Sequence, residues 1–221
     1  MADRREEKYL IGYDDFARIN AMAKSLMHVD PNGVNGRYSI CSIYYDDIYD
    51  TALYEKEDGN AVHTKYRIRT YGGNLSTIKL ERKVKKGIIT SKFASSLTEA
   101  QLDTLLSGGR ENNDWQAFDL CAEMHSKGLK PVCAIRYDRL AYLYEPLNIR
   151  LTFDINIDRL PPDKMSLAGD MTRAIPAIPR GEIVMEVKYD KVCPSFVRKI
   201  CQDAGQQISV SKYALCRNAR V

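Results

Sequence analysis

Residues 65–71, Lys-Tyr-Arg-Ile-Arg-Thr-Tyr, carry a basic side chain at 65, 67 and 69 with uncharged side chains between them. Successive side chains of a β-strand point to opposite faces, so the segment predicts a strand with one basic face and one uncharged face. Other predicted strands repeat the pattern. Charged or polar positions share one parity in each: Lys79, Glu81, Lys83 and Lys85; Arg150, Thr152 and Asp154; Glu182, Glu186 and Lys188.

The periodicity outside this segment predicts an α+β protein rich in antiparallel strands. The predicted strands are Lys8–Gly12, Tyr38–Asp46, Val62–Tyr71, Leu75–Lys85, Val132–Tyr144, Asn148–Ile157 and Glu182–Tyr189, with a short strand-like end at Gln207–Cys216. The predicted helices follow Asp14, cover Thr98–Leu106 and Asp114–Ser126, and begin again at Pro194. The turn Asp30-Pro31-Asn32-Gly33 ends the first helix, and Leu160–Arg180 is predicted to be a loop.

A length of 221 residues fits one large domain or two small ones, and because no segment marks a boundary, one folded domain over residues 1–221 is expected. A net charge of +4 is too small to indicate nucleic-acid binding from the total alone, and no nucleic-acid partner is predicted. The six cysteines show no metal-binding spacing and predict free thiols in a reducing cytoplasm. The charged first residues predict no signal peptide, and no apolar stretch is long enough to predict a membrane segment.

The shared parity of the cations has two interpretations. An antiparallel sheet with one face in water gives the same alternation and needs no ligand. Four strands with cations on one face favour a polyanion site instead, because like charges gathered on one inward face repel one another unless an anion compensates them. Arg and Lys both suit phosphate, Arg through its planar fork and Lys as a point charge.

Several short motifs together resemble the catalytic domain of the vacuolar transporter chaperone (VTC) family, a triphosphate tunnel fold. They follow one another in the order Glu6–Ile11, Ser42–Asp46, Lys65–Tyr71, Leu80–Lys83, Tyr137–Tyr142, Ile149–Asp154, Met185–Lys188 and Ser211–Tyr213. The resemblance covers about residues 4 to 216. It implies a closed antiparallel β-barrel flanked by helices, with the charged face turned inward.

The resemblance also implies roles for individual residues. The residues expected to act on phosphate during catalysis are Lys8, Arg67, Arg69, Lys83, Arg139, Arg150 and Lys188. Those expected to bind substrate are Lys65, Lys92, Tyr137, Ser211 and Lys212, and Glu186 with Glu6 would hold Mn²⁺ or Mg²⁺. Five of the cations, Arg67, Arg69, Lys83, Arg139 and Arg150, are expected to converge on one cavity.

The implied activity is a polyphosphate polymerase, an ATP:polyphosphate phosphotransferase whose partners are ATP, triphosphate or pyrophosphate, and polyphosphate. Such chemistry needs no Ser-His or Cys-His set, because phosphoryl transfer depends on positioning and charge neutralisation. A tunnel-fold triphosphatase needs the same cations and remains an alternative. It is less favoured because Arg4 stands where wider tunnel-fold enzymes carry a first glutamate, which leaves Glu6 and Lys8. A non-catalytic binder of polyphosphate or RNA is a further alternative, for which Glu186 would be unnecessary.

Overall fold

The computed structural model describes residues 5–87, 89–110, 112, 114–190, 192–209 and 211–219. The chain divides into two compact units. Unit 1 comprises Met1–Ser39, Tyr137–Ile157 and Ile178–Val210, and unit 2 comprises Ile40–Arg136, Asp158–Ala177 and Ser211–Val221. The single domain over residues 1–221 stays a prediction. Arg4 lies outside the described residues.

The described residues contain ten strands and seven α-helices. The strands are β1 (Arg5–Ile11), β2 (His28–Val29), β3 (Arg37–Asp46), β4 (Val62–Tyr71), β5 (Asn74–Lys86), β6 (Ile89–Leu97), β7 (Lys130–Tyr144), β8 (Ile149–Leu160), β9 (Ile175–Pro176) and β10 (Ile183–Tyr189). The helices are α1 (Tyr13–Leu26), α2 (Thr51–Glu57), α3 (Glu99–Leu106), α4 (Phe118–Ser126), α5 (Lys164–Leu167), α6 (Ser195–Asp203) and α7 (Lys212–Asn218).

All ten strands belong to one sheet, in the order β1-β10-β8-β7-β3-β4-β5-β6, with β2 paired to β7 and β9 to β8. The pairs β1–β10, β10–β8, β3–β4, β4–β5 and β5–β6 are antiparallel. Within the described part of the chain, the path runs from β1 to β6 and no strand pair joins these two ends. The α+β class with a large antiparallel sheet is therefore confirmed.

The core of unit 1 lies on the apolar face of its strands. On β8, Ile149, Leu151 and Phe153 are buried, as the sequence alternation predicts. Helices α1 and α6 cover this face with apolar residues at helical spacing. The Phe16 ring of α1 meets the Phe153 ring edge to face, with centroids 5.0 Å apart. Burial of each such side chain contributes about 1.5–3 kcal/mol, which fixes the apolar face toward the helices.

The core of unit 2 follows the same rule. Tyr66 and Ile68 of β4 and Leu80 of β5 are buried on the face opposite the cations. Helices α3 and α4 contribute buried residues such as Leu102 and Met124 to this core. Helix α3 begins at Thr98, whose side chain accepts a hydrogen bond from the Gln101 backbone N–H in a capping box. The apolar parity of these strands therefore leaves the charged parity on the other face.

Several sequence predictions of local structure are wrong. The strand-like end predicted at Gln207–Cys216 is helix α7 from Lys212 onward, and its Ser211 N-cap accepts from the Ala214 backbone N–H. In the first half of that segment Gln207 forms a β-bridge with Tyr9. Helix α2 and strand β6 were not predicted, and the predicted Leu160–Arg180 loop contains α5, capped by Asp163. Small polar residues dominate β6, so its pairing with β5 is what makes it a strand.

Two predictions from composition can be compared with the structure. All six cysteines are free thiols, as predicted, and each except Cys193 is buried. Among the described residues, no helix is both long and apolar enough to pass through a lipid bilayer.

Candidate functional site

Three lysines of unit 2 lie in one row across adjacent strands. In the β4–β5 register Lys65 is directly opposite Lys83, and in the β5–β6 register Lys83 is directly opposite Lys92. Residues directly opposite one another in an antiparallel pair share a face, with Cβ atoms about 4.5–5.5 Å apart, and like charges in such pairs are destabilising. We call Lys65, Lys83 and Lys92 the lysine row. The row places three like charges on one face of unit 2.

Two arginines occupy the neighbouring positions on the same face of β4. Arg67 is directly opposite Glu81, and Arg69 is directly opposite Lys79. The Arg67 Nε donates to Glu81 Oε2 at 2.7 Å, the Arg69 guanidinium lies 3.9 Å from the same oxygen, and Lys92 pairs with Glu81 Oε1. Three cations therefore share one carboxylate. The lysine row, Arg67, Arg69 and Glu81 form the unit 2 cluster, with five cations and one carboxylate.

Glu81 is the anionic centre of the unit 2 cluster. Its side chain is 3% exposed. Burial by itself raises the pKa of this carboxyl, but the charges of Arg67 and Arg69 and the hydrogen bonds from Lys92 and Arg67 outweigh that effect and lower the pKa to about 2. Glu81 is therefore ionised at neutral pH and holds the three cations in a fixed arrangement.

Tyr44 of β3 belongs to this face and was missed by the sequence analysis as a site residue. Its Cα partner in β4 is Arg67, and Arg67 Nη1 donates to the Tyr44 hydroxyl at 3.0 Å. Burial raises the pKa of this phenol, but the charges of Arg67, Arg69 and Lys65 lower it to about 8 in net. The Ser42-Ile43-Tyr44-Tyr45-Asp46 motif is the only signal in the sequence that points to it.

Helix α7 brings the Ser211-Lys212-Tyr213 motif to the unit 2 cluster. The Lys65 ammonium donates to Ser211 Oγ at 2.9 Å. The Tyr213 ring stacks on Tyr44, with centroids 5.2 Å apart and an interplanar angle of 16°, and its hydroxyl donates to the buried Asp46. Lys212 is the first residue of α7. The motif therefore contacts the cluster through Ser211 and Tyr213.

The predicted residues of unit 1 also form rows across strands. Lys8 of β1 is directly opposite Glu186 of β10, which is opposite Thr152 of β8. In the next row, Glu6 is opposite Lys188, which is opposite Arg150. The shared parity predicted for Glu186, Lys188, Arg150 and Thr152 is therefore confirmed. The Thr152 hydroxyl is buried without a hydrogen-bond partner among the described residues.

Both predicted arginines of unit 1, Arg139 and Arg150, pair with a buried aspartate. Arg139 donates from Nε and Nη2 to the two oxygens of Asp154, at 2.7 and 2.8 Å. Burial lowers the pKa of Arg139, but the Asp154 charge outweighs it and holds the pKa well above the ordinary value. The Arg139 guanidinium lies 5.3 Å from the Tyr137 ring centroid.

Arg150 has a similar arrangement with other partners. Its Nη2 donates to Asp30 Oδ2 and to the Tyr38 hydroxyl, each at 2.7 Å. The unit 1 cluster thus comprises Lys8, Arg139, Arg150 and Lys188 with Glu6, Asp30, Asp154 and Glu186, four cations and four carboxylates. Asp30 and Tyr38 were not predicted as site residues, because Arg150 lies 120 and 112 residues from them in the sequence. Asp154 was predicted only to share a strand face with Arg150, and its pairing with Arg139 was not predicted.

The carboxylates proposed for a metal ion share one ammonium group. Lys188 Nζ pairs with Glu186 and lies 3.7 Å from Glu6, whose other oxygen is 2.9 Å from Lys8 Nζ. Glu6 and Glu186 thus both lie next to the positively charged Lys188 ammonium group. Mg²⁺ in phosphate-handling sites binds one or two carboxylates and takes its other ligands from phosphate and water, so this pair fits such an ion. No set of three or more potential ligands from His, Cys, Asp and Glu is found among the described residues.

All twelve predicted phosphate-binding residues thus lie in or beside one of the two clusters. Those of unit 1 are Lys8, Tyr137, Arg139, Arg150 and Lys188. Those of unit 2 are Lys65, Arg67, Arg69, Lys83, Lys92, Ser211 and Lys212. The convergence of cations from both units on one cavity stays a prediction.

Comparison with solved structures supports the fold. A protein of Bacillus halodurans with proposed adenylate cyclase activity is 13% identical, has a TM-score of 0.53, and matches over 96% of this chain and 94% of its own. A protein of Vibrio parahaemolyticus with the same proposed activity is 11% identical, has a TM-score of 0.52, and matches over 97% of each chain. At these identities the likeness concerns the fold alone.

Comparison with families and curated proteins gives two results. No curated protein matches the sequence. The model of the VTC domain matches residues 3–219, nearly the whole chain. The chain therefore belongs to the VTC domain family.

Proposed function

We propose that the protein is a metal-dependent polyphosphate polymerase, which transfers the γ-phosphate of ATP to a growing polyphosphate chain. The proposal includes closure of the sheet around a basic tunnel, as the family resemblance implies. It also places the protein in the cytoplasm. The six free cysteines support this, because the cytoplasm keeps thiols reduced.

The lysine row is the observation that carries the proposal. Lys65, Lys83 and Lys92 are directly opposite one another in the registers of β4, β5 and β6, so three like charges gather on one face beside Arg67 and Arg69. A polyanion with closely spaced negative charges relieves the repulsion between like charges. Phosphate units joined in a chain supply such charges at regular intervals, and both Lys and Arg bind phosphate oxygens well.

The proposed roles of the clusters follow from their charges. The unit 2 cluster, with its excess of cations, would attract and hold polyphosphate or the triphosphate of ATP. The unit 1 cluster, whose charges balance, would hold cations in fixed positions through its carboxylates. Glu6 and Glu186 would hold Mg²⁺ or Mn²⁺, which when bound neutralises phosphate charge and orients the phosphate oxygens.

The reaction needs no general base. A terminal phosphate oxygen of the chain is already ionised and attacks the γ-phosphorus of ATP. The bond from that phosphorus to the β–γ bridging oxygen breaks, its electrons stay on the bridging oxygen, and the nucleoside diphosphate leaves. Lys and Arg side chains such as Lys83 and Arg67 would stabilise the charge on the transferred group, which is the main demand of phosphoryl transfer.

Product analysis tests the proposal against its nearest alternative. The purified protein is incubated with ATP and Mn²⁺ or Mg²⁺, and the products are resolved on a polyacrylamide gel with parallel measurement of ADP and free phosphate. A polymerase forms long polymer with little free phosphate. A triphosphatase releases phosphate or pyrophosphate without polymer, and a binding protein consumes no ATP.

Matched lysine variants show whether the lysine row is responsible. Lys83→Ala should lower polymer synthesis strongly, because it removes the central charge of the row. Lys164→Ala is the control, since Lys164 pairs with Glu99 and Asp103 on the exposed surface of unit 2. Equal activity of the two variants would remove the lysine row from the proposed mechanism.

A further inference from the structure

Arg150 is held at one nitrogen. The Nη2 group of a guanidinium carries two hydrogens, and in this structure both are used, one by Asp30 Oδ2 and one by the Tyr38 hydroxyl, each at 2.7 Å. Among the described residues, no acceptor contacts the N–H groups on Nε and Nη1. Three of the five donors of Arg150 therefore remain for a ligand, in directions set by Asp30 and Tyr38.

The two partners are themselves fixed. The Asp30 side chain is fully buried, whereas the Arg150 side chain is 31% exposed. The other oxygen of Asp30 accepts from the Asn32 backbone N–H at 2.9 Å and from Asn32 Nδ2 at 2.7 Å. The Asp30 backbone N–H donates to the Ala141 carbonyl of β7 at 2.9 Å. The turn that follows β2 thus anchors an aspartate beside Arg150.

A purely stabilising ion pair does not explain this arrangement well. Arginine–carboxylate pairs frequently form two parallel bonds, as Arg139 does with Asp154. Asp30 and Tyr38 instead both accept from Nη2, and among the described residues no acceptor lies within hydrogen-bonding distance of Nε or Nη1. The Cα partner of Arg150 in β10 is Lys188, so a second cation lies on the same face of the sheet next to Arg150.

We propose that Asp30 and Tyr38 are positioning residues that orient Arg150 for binding of a phosphate group of the substrate. The inference rests on the proposed function, since it takes Arg150 as a phosphate ligand. Neither residue contacts the phosphate. Their contribution is to hold the long arginine side chain in one orientation, which removes the entropy cost of ordering it when the ligand binds.

A double-mutant cycle tests this. Affinity for inorganic triphosphate is measured by calorimetry, without metal, for Asp30→Asn and Tyr38→Phe in the wild-type protein and in Arg150→Ala. Asparagine keeps an oxygen for Asn32 and removes the charge, and phenylalanine removes one hydroxyl. A hydrogen bond to a charged group is commonly worth about tenfold in an equilibrium constant, so Asp30→Asn should weaken binding about tenfold and Tyr38→Phe about threefold.

The cycle separates positioning from structural damage. With Arg150 removed, the same two substitutions should change the affinity less than about twofold, because there is no guanidinium left to orient. Equal losses in both backgrounds would show a structural role, and unchanged or tighter binding with Arg150 present would show that orientation does not matter. Either result overturns the inference while leaving the proposed function intact.

Two further outcomes have defined meanings. If Asp30→Asn does not fold, the Tyr38→Phe cycle decides alone, since a partly buried phenol tolerates loss of its hydroxyl. If the folded wild-type protein does not bind triphosphate, the proposed function fails and the inference fails with it.

Discussion

Glu81→Gln separates the stability of the unit 2 cluster from its affinity for phosphate. The pKa of Glu81 falls from an ordinary 4.5 to about 2, because Arg67 and Arg69 outweigh the effect of burial. Each pKa unit corresponds to about 1.4 kcal/mol, so the ionised carboxylate contributes about 3 kcal/mol to the free energy of unfolding. The side chain is 3% exposed, so little of this is lost to solvent screening.

The sign of the pH dependence follows from the lowered pKa. The folded state holds the carboxylate ionised where the unfolded state would protonate it, so the contribution is complete above about pH 4.5 and disappears as the pH falls toward 2. Glu81→Gln should therefore lower the free energy of unfolding by about 3 kcal/mol at pH 7 and by progressively less as the pH falls below 4.5. Triphosphate, which can replace the missing anion, should bind the variant more tightly than the wild type.

Urea unfolding at several pH values, with and without triphosphate, measures both effects. Glu99→Gln is the matched control, because Glu99 is exposed and pairs only weakly with Lys164, and it should change stability by less than about 0.5 kcal/mol. A Glu81→Gln loss below about 1 kcal/mol at pH 7, or a loss that does not shrink toward acidic pH, would refute the reasoning. Weaker triphosphate binding by the variant would contradict the view that Glu81 competes with phosphate for the same cations.

Three other predictions concern single residues. Since Tyr44 has a pKa of about 8, a phenolate forms in the cluster as the pH rises from 7 to 9, and the wild-type affinity for triphosphate should fall. Calorimetry on Tyr44→Phe should show a smaller fall. Equal pH dependence of affinity in the two proteins would contradict the lowered pKa of Tyr44. Glu186→Gln should lower Mn²⁺-dependent polymer synthesis by at least about 100-fold. Metal-free triphosphate binding should persist or tighten, because one repulsive charge is lost. Near-normal synthesis would assign the metal to another carboxylate such as Glu6 or Glu81. Asp154→Asn should lower the free energy of unfolding by about 3–5 kcal/mol, since it leaves the buried Arg139 without its counter-charge; a loss below about 1 kcal/mol in urea unfolding would show that other groups compensate.

Strand parity is the part of the structure that the sequence predicts well. The alternation in residues 65–71 places Lys65, Arg67 and Arg69 on one face, and the observed register confirms this because the pleat alone determines it. The same rule holds for Arg150, Thr152, Glu186 and Lys188. The face to which each strand side chain points depends only on local geometry, so it can be predicted without knowledge of the tertiary structure.

The partners of these side chains could not be predicted in the same way. Asp30 lies 120 residues from Arg150 in the sequence, and Tyr213 lies 167 residues from Asp46. No spacing rule connects residues that meet through the order of strands. Helix α7 was also missed, because a short segment such as Lys212–Asn218 has too few periodic positions to distinguish a helix from a strand.

Calorimetric titration of the metal-free protein with inorganic triphosphate tests the central claim most directly. The account predicts a saturable binding event whose affinity falls steeply as the salt concentration rises, because the cations of the unit 2 cluster exchange their counterions for the ligand. It further predicts that Lys83→Ala weakens this binding and that Lys164→Ala does not. The absence of binding at low salt by folded protein would contradict the claim that these charged faces form a phosphate site.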